Sequence, residues 1–224
     1  MSSFLDEPVR GFLDQLAART PTPGGGGAAA ATGAMAAGLV AMAARFSATQ
    51  LPGAGELADQ ADELRCRLAQ LADLDAQAYA AVLEALRLPR EASQREVQRQ
   101  EALLGAALVP LEIAGIGARV AVMAAGLAEA GNPNLRGDAV TGAVLAAASA
   151  RSAACLVDIN VGLGGLEAEL SQRAARAVAD ACAAADQVMS TWLASRQTTR
   201  CFLRWGAGRG FLGLCWRTRG GGGR

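Results

Sequence analysis

Apolar side chains recur at helical spacing along most of the chain, and no stretch of useful length alternates as a strand would. The most regular stripe lies in residues 56–88, where Leu57, Ala61, Leu64, Leu68, Leu71, Ala78, Val82 and Ala85 mark one buried helical face. Residues 1–19 read as a short amphipathic helix. Asp6 caps it, Pro8 fits its first turn, and Phe4, Val9, Phe12, Leu13 and Leu16 supply apolar contacts. The run Thr20-Pro21-Thr22-Pro23-Gly24-Gly25-Gly26-Gly27 reads as a loop, followed by an Ala/Gly/Met-rich helix over 28–46 and a linker over 47–55. Beyond Pro89, a polar stretch (91–101) leads into a helix that Pro110 should kink or divide and that ends near Ala130. Gly131-Asn132-Pro133-Asn134 is a turn, and Asp138 suits the N-cap of a helix ending near Ile159. A glycine-containing break (161–165) precedes a last helix over 167–193. The expectation is an all-α fold over residues 1–195, a multihelical bundle of about six helices around a central Ala/Gly-rich helix.

Composition agrees with that pattern. Alanine supplies 53 of 224 residues while aromatic residues make up 4%, so helices are expected to pack closely through small side chains. Residues 20–44 carry no charge, and the 25-residue window is long enough for a membrane span. Its first third is a Pro/Gly loop and the rest has little Leu, Ile or Phe, so a buried helix is the expectation and a small membrane-associated protein the alternative.

The chain has no histidine, and all 21 of its basic residues are arginine. Ser-His-Asp triads, Cys-His pairs, histidine-liganded zinc, Walker lysines and Schiff-base lysines are therefore excluded. Catalysis is left to carboxylates, Asn, Arg, Ser/Thr, Cys and backbone dipoles. The five cysteines (Cys66, Cys155, Cys182, Cys201, Cys215) are scattered without a C-x-x-C, which suits reduced cytosolic thiols.

The zero net charge is an average of two unlike parts. Residues 1–195 hold 14 basic and 21 acidic groups, whereas 196–224 hold seven arginines and no acid. That tail also carries Phe202, Trp205, Phe211, Trp216 and eight glycines. It reads either as an arm for nucleic acid or an anionic surface, or as a non-native extension, such as translation in a shifted frame. The abrupt change of composition favours the second, and poor order is expected either way.

Three groups of residues carry candidate chemistry. The glycine run places unpaired backbone N–H groups at a helix start, which suits an anion or polarised oxygen; it also suits a flexible joint. Asp75 occupies an inward slot of the 56–88 stripe, whereas Asp73 points about 200° away and should be solvated. A carboxylate in that slot is either a proton-transfer group, a partner for one of the arginines, or a cap for a neighbouring helix. Asn132, Asn134 and Asp138 are ordinary turn and cap chemistry by spacing alone, and Asn160 near a helix end is ambiguous.

In order along residues 4–190, several segments resemble the cyclodeaminase/cyclohydrolase family of folate one-carbon enzymes. They are Thr22-Pro23-Gly24-Gly25-Gly26, Asp73-Leu74-Asp75-Ala76-Gln77-Ala78-Tyr79 with Leu86-Arg87-Leu88-Pro89, Val109-Pro110-Leu111, Asn132-Pro133-Asn134 with Asp138, and Ile159-Asn160. The resemblance implies an all-helical homodimer in the cytoplasm, with a tetrahydrofolate derivative as substrate and no metal, nucleotide or other cofactor. It implies no nucleic-acid or membrane partner. It assigns Asp75 as the catalytic carboxylate, and Pro23, Gly24, Gly25, Gly26, Asn132, Asn134, Asp138 and Asn160 to folate binding. The implied reaction converts 5-formiminotetrahydrofolate to 5,10-methenyltetrahydrofolate with release of ammonia. Alternatives are the cyclohydrolase reaction giving 10-formyltetrahydrofolate, and a non-catalytic helical dimer of the same fold. The chain departs from the family pattern at Gly27, where serine is usual, at Gly137, also usually serine, and at Asp158, where arginine is common. Arg45 alone remains of a basic patch beyond the second helix.

Overall fold

The structure is a computed structural model and describes residues 3–89 and 94–198. Six α-helices run in the order α1 (Val9–Ala17), α2 (Gly25–Arg45), α3 (Ala54–Arg87), α4 (Arg95–Ala130), α5 (Arg136–Gly164) and α6 (Ala168–Thr198), with short 3-10 turns at Phe4–Asp6 and Pro133–Leu135. Among the described residues there is no strand. The backbone of residues 196–198, expected to belong to the tail, continues α6; the rest of the tail, including Cys201 and Cys215, lies outside the described residues.

Small side chains let the helices approach. α2 packs on α3, α5 and α4, and α4 in turn packs on α5 and α6. A Cβ added at Gly33 of α2 would stand 2.8 Å from Ser149 Oγ, and one at Gly117 of α4 would stand 3.0 Å from the Ala146 carbonyl. The core is mostly alanine, with Val40, Leu68, Leu71, Ile113, Val120 and Val157 as its largest fully buried apolar side chains. The buried hydroxyl of Ser149 donates to the Ala29 carbonyl at 2.7 Å, tying α5 to α2. α2 runs antiparallel to α3 and to α5. Its first residues lie beside Asp75 of α3 and Leu156 of α5, and Arg45 at its far end pairs with Asp62.

Several local expectations are corrected. The glycines do not form a loop: α2 starts at Gly25, with Gly24 at its N-cap position. Tertiary packing overrides the poor helix propensity of glycine there. α1 starts after Pro8, which sits at its N-cap position, and Asp6 lies in the preceding turn. Asp73 is half-buried rather than solvated, and accepts the Phe4 backbone N–H at 2.9 Å. α4 continues undivided through Pro110. The N-cap position of α5 is Leu135, and Asp138 stands in the first turn, where its charge suits the helix dipole. α5 also continues through the expected break to Gly164. It ends on left-handed Gly165 (φ 59°), with the Leu166 N–H donating back to the Val161 carbonyl at 3.0 Å.

Three of the helical segments, Gly25–Arg45, Arg95–Ala130 and Pro133–Gly164, are long and apolar enough to cross a membrane. Half or more of the most apolar window in each is covered by neighbouring helices.

Candidate active site

The first turn of α2 is the positive end of a helix with unpaired N–H groups, and Asp75 on α3 reaches into it. The Gly27 backbone N–H donates to the Asp75 carboxylate. Glycine at position 26 is what admits the carboxylate. A Cβ there would stand 2.0 Å from Asp75 Oδ1 and 2.1 Å from Cγ. Of the open readings of Asp75, the structure realises the cap on a neighbouring helix, and it does so at the wall of a cleft.

That cleft has a volume of about 400 Å³ and opens between the start of α2, the last third of α3, and the facing parts of α4 and α5. Gly24, Gly25, Gly26, Asp75 and Asn160 line it together with Tyr79, Leu86, Ile159 and Leu163. The size and the apolar walls with a few converging polar groups suit a small organic ligand. Asn160 holds its place by donating its Nδ2–H to the Ala106 carbonyl of α4 at 2.7 Å.

Burial pushes the Asp75 carboxyl above the usual range for aspartate, and the Gly27 N–H opposes this in part by stabilising the ionised form. Because the folded-state pKa is raised, Asp75 favours folding at low pH, and that contribution is lost as pH rises through the folded-state value. Asn at position 75 removes the buried charge and still accepts from Gly27. Asp75→Asn is therefore expected to gain stability relative to the parent chain between about pH 4 and about pH 8. Thermal melts at the two pH values measure this; a relative loss at the higher pH would show that the ionised carboxylate stabilises the fold.

The remaining expected residues lie elsewhere in the chain. Pro23 is buried against the start of α2, its Cβ 3.4 Å from where a Gly27 Cβ would stand, behind the cleft rather than on its lining. Asn132, Asn134 and Asp138 sit at the opposite end of α2, a helix length of roughly 30 Å away. There, the Asn132 N–H donates to Ser47 Oγ at 2.8 Å, its Nδ2–H to the Phe46 carbonyl at 3.0 Å, and its Oδ1 accepts from the Asn134 N–H. Within one chain, these groups join α2 to the α4–α5 turn and do not share the cleft with Asp75. Conversely, Tyr79, Leu86 and Ile159 stand in the resembling segments but receive no site role from the sequence, and Leu163 is not singled out there at all. The available signal was Tyr79 one turn beyond Asp75, followed by Leu86 two turns on, large apolar groups on the same face. Among the described residues, no group of three Cys, Asp or Glu side chains is placed to hold a metal ion.

Comparison with known proteins adds independent findings. A family model described as formiminotransferase-cyclodeaminase matches residues 8–165. A methenyltetrahydrofolate cyclohydrolase of Methylorubrum extorquens is 37% identical over 165 residues, which cover 69% of this chain and 79% of that protein. The formimidoyltransferase-cyclodeaminase of Mus musculus is 36% identical over 127 residues, 50% of this chain but 23% of that protein. The crystal structure of formiminotetrahydrofolate cyclodeaminase from Thermotoga maritima superposes with a TM-score of 0.76 at 27% identity, over 85% of this chain and 98% of that one.

Proposed function

The chain belongs to the formiminotransferase-cyclodeaminase family, and from that premise we propose that it is an enzyme acting on the one-carbon unit of a tetrahydrofolate derivative. The observation that carries this reading is the Asp75 carboxylate, seated at the start of α2 on the wall of an apolar cleft with its pKa raised. Such a group can take and return a proton and, when ionised, stabilises positive charge beside it.

For the reaction itself, we favour hydrolysis of the 5,10-methenyl bridge. Identity to the Methylorubrum cyclohydrolase over most of that protein's length supports this choice, which reverses the order expected from sequence. Water attacks the cationic methenyl carbon and gives one proton to Asp75, leaving a hydroxyl on that carbon. N5 takes the proton from Asp75 as the carbon–N5 bond breaks, and the hydroxyl releases its proton to solvent as the formyl C=O forms on N10. The second reading, deamination, is supported by the likeness to the Thermotoga cyclodeaminase over nearly its whole length. There N10 attacks the carbon of the protonated formimino group, Asp75 carries the N10 proton to the resulting amino group, and the carbon–nitrogen bond breaks to release ammonia and leave the methenyl cation. Both readings use the same carboxylate and the same carbon, and the tetrahydrofolate derivative is the substrate in each.

Ultraviolet absorbance of the methenyl group separates them. Loss of absorbance from 5,10-methenyltetrahydrofolate above the uncatalysed rate identifies hydrolysis, and gain from 5-formiminotetrahydrofolate identifies deamination. No change with either substrate from folded protein would overturn the enzyme reading.

The same proposal includes a cytoplasmic location and a homodimer. α2, the Phe46 that follows it, and α5 expose large apolar side chains, including Met35 (59% exposed), Phe46 (61%) and Val144 (43%). Burying such a face between two copies removes it from water. Light scattering on the eluting protein is expected to give twice the chain mass of 22.7 kDa, and Met35→Glu with Val144→Glu is expected to give the single mass. A monomeric parent chain would contradict the dimer.

A further inference from the structure

Pro110 lies fully buried in the middle of α4, where a proline removes one helical hydrogen bond and its ring crowds the carbonyl four residues earlier. That carbonyl belongs to Ala106, and Ala106 lines the cleft. The Asn160 Nδ2–H donates to this same carbonyl, at 2.7 Å, from the facing helix α5. The orphan acceptor created by Pro110 is thus satisfied by a side chain that itself lines the cleft beside Asp75.

We infer that Pro110 is a positioning residue for the site: by freeing the Ala106 carbonyl, it fixes the Asn160 amide so that Oδ1 faces the cleft as a hydrogen-bond acceptor. A carbonyl oxygen can pair only with the NH₂ side of the amide, so this contact decides which way the amide is turned. The cleft therefore offers an acceptor at residue 160 in addition to the Asp75 carboxyl, an arrangement that recognises an N–H-bearing heterocycle. The catalytic consequence rests on the folate reading; the orientation of Asn160 does not.

With any ordinary residue at position 110, a backbone N–H is restored and competes with Asn160 for the Ala106 carbonyl. Two variants separate this from a packing defect. Pro110→Ala supplies the N–H and removes ring volume, whereas Pro110→Val supplies the N–H and keeps most of the volume. In both, the Asn160 side-chain NH₂ resonances are expected to shift, and their exchange with water to accelerate, in NMR spectra assigned by means of Asn160→Ala. Turnover per enzyme is expected to fall roughly 10- to 100-fold in both, the scale of a small misplacement of a substrate-orienting group. Asn160→Ala is expected to fall by a similar factor. Adding Pro110→Val to Asn160→Ala is expected to change nothing further, because both act through one contact.

Unchanged Asn160 resonances and exchange in Pro110→Ala and Pro110→Val would overturn the inference, as would parent-level turnover accompanying a displaced amide. If the amide signals move as expected while the parent chain turns over no folate, the positioning device stands and the folate reading fails.

Discussion

Asp75→Asn is expected to remove turnover of the folate substrate while leaving a folded protein. The carboxylate is the ionisable group on the cleft wall whose pKa is displaced upward. Asn matches its shape and keeps an acceptor for the Gly27 N–H, so the cap on α2 survives. What is lost is the ability to take and return a proton and to stabilise a cationic carbon. General acid–base catalysis by a positioned side chain contributes roughly 10²–10⁴ in rate, and a loss of that size is the expected result. Circular dichroism and a thermal melt accompany the assay. A folded variant retaining more than about a tenth of parental turnover falls well short of that range and would remove Asp75 from the mechanism.

Gly26→Ala is expected to be nearly as damaging and to act on stability as well. The added Cβ would occupy the space of the Asp75 carboxylate, 2.0 Å from Oδ1 and 2.3 Å from Oδ2. Either the carboxylate leaves, taking with it the cap on α2, or the two helices part. Overpacking of this kind costs about 1–3 kcal/mol, and turnover should fall with the displaced carboxylate. The neighbouring Gly27→Ala is the control. Its Cβ would meet Pro23 Cβ at 3.4 Å and the Ala72 carbonyl at 3.9 Å, ordinary contacts, so little change is expected. In an Asp75→Ala background, which vacates the space, Gly26→Ala should cost much less, a non-additivity that denaturant unfolding measures. Parental turnover in Gly26→Ala would show that the observed seat of the carboxylate is not required.

Much of the fold is local and therefore legible. The α3 stripe depends only on 3.6-residue periodicity, which also put Asp75 in an inward slot before any other helix was placed. The long uncharged segment was readable as a buried helix because its residues are small. The start of that helix was misread for a physical reason. Helix starts are recognised by a capping side chain at the N-cap, whereas α2 is capped by a carboxylate from α3, which no local rule sees. Pro110 misled in the same way. A proline inside a helix ordinarily marks a break, but here the carbonyl it orphans is satisfied from α5, and α4 continues.

The site was legible in parts but not as a site. The glycine run and Asp75 were separate candidates until antiparallel packing of α2 on α3 brought them into contact. Motif order carries no distance, so nothing in it separated Asn160, at the cleft, from Asn132, whose amide is engaged by Phe46 and Asn134 at the far end of α2. The apolar rim was missed because exposed side chains such as Ile159 (55% exposed) and Leu163 (60%) look like ordinary helical surface until a cleft forms beneath them.

The most direct test of the proposed site is a crystal structure of Asp75→Asn with 5,10-methenyltetrahydrofolate bound, the substitution slowing turnover enough to trap the substrate. The bridging carbon is expected to lie within about 4 Å of the side chain at position 75, with the ring system against Tyr79 and a ring N–H directed at Asn160. Substrate density outside this cleft, at the Asn132 turn or in the open groove lined by Arg119 of α4 and Asp180 of α6, would contradict the account.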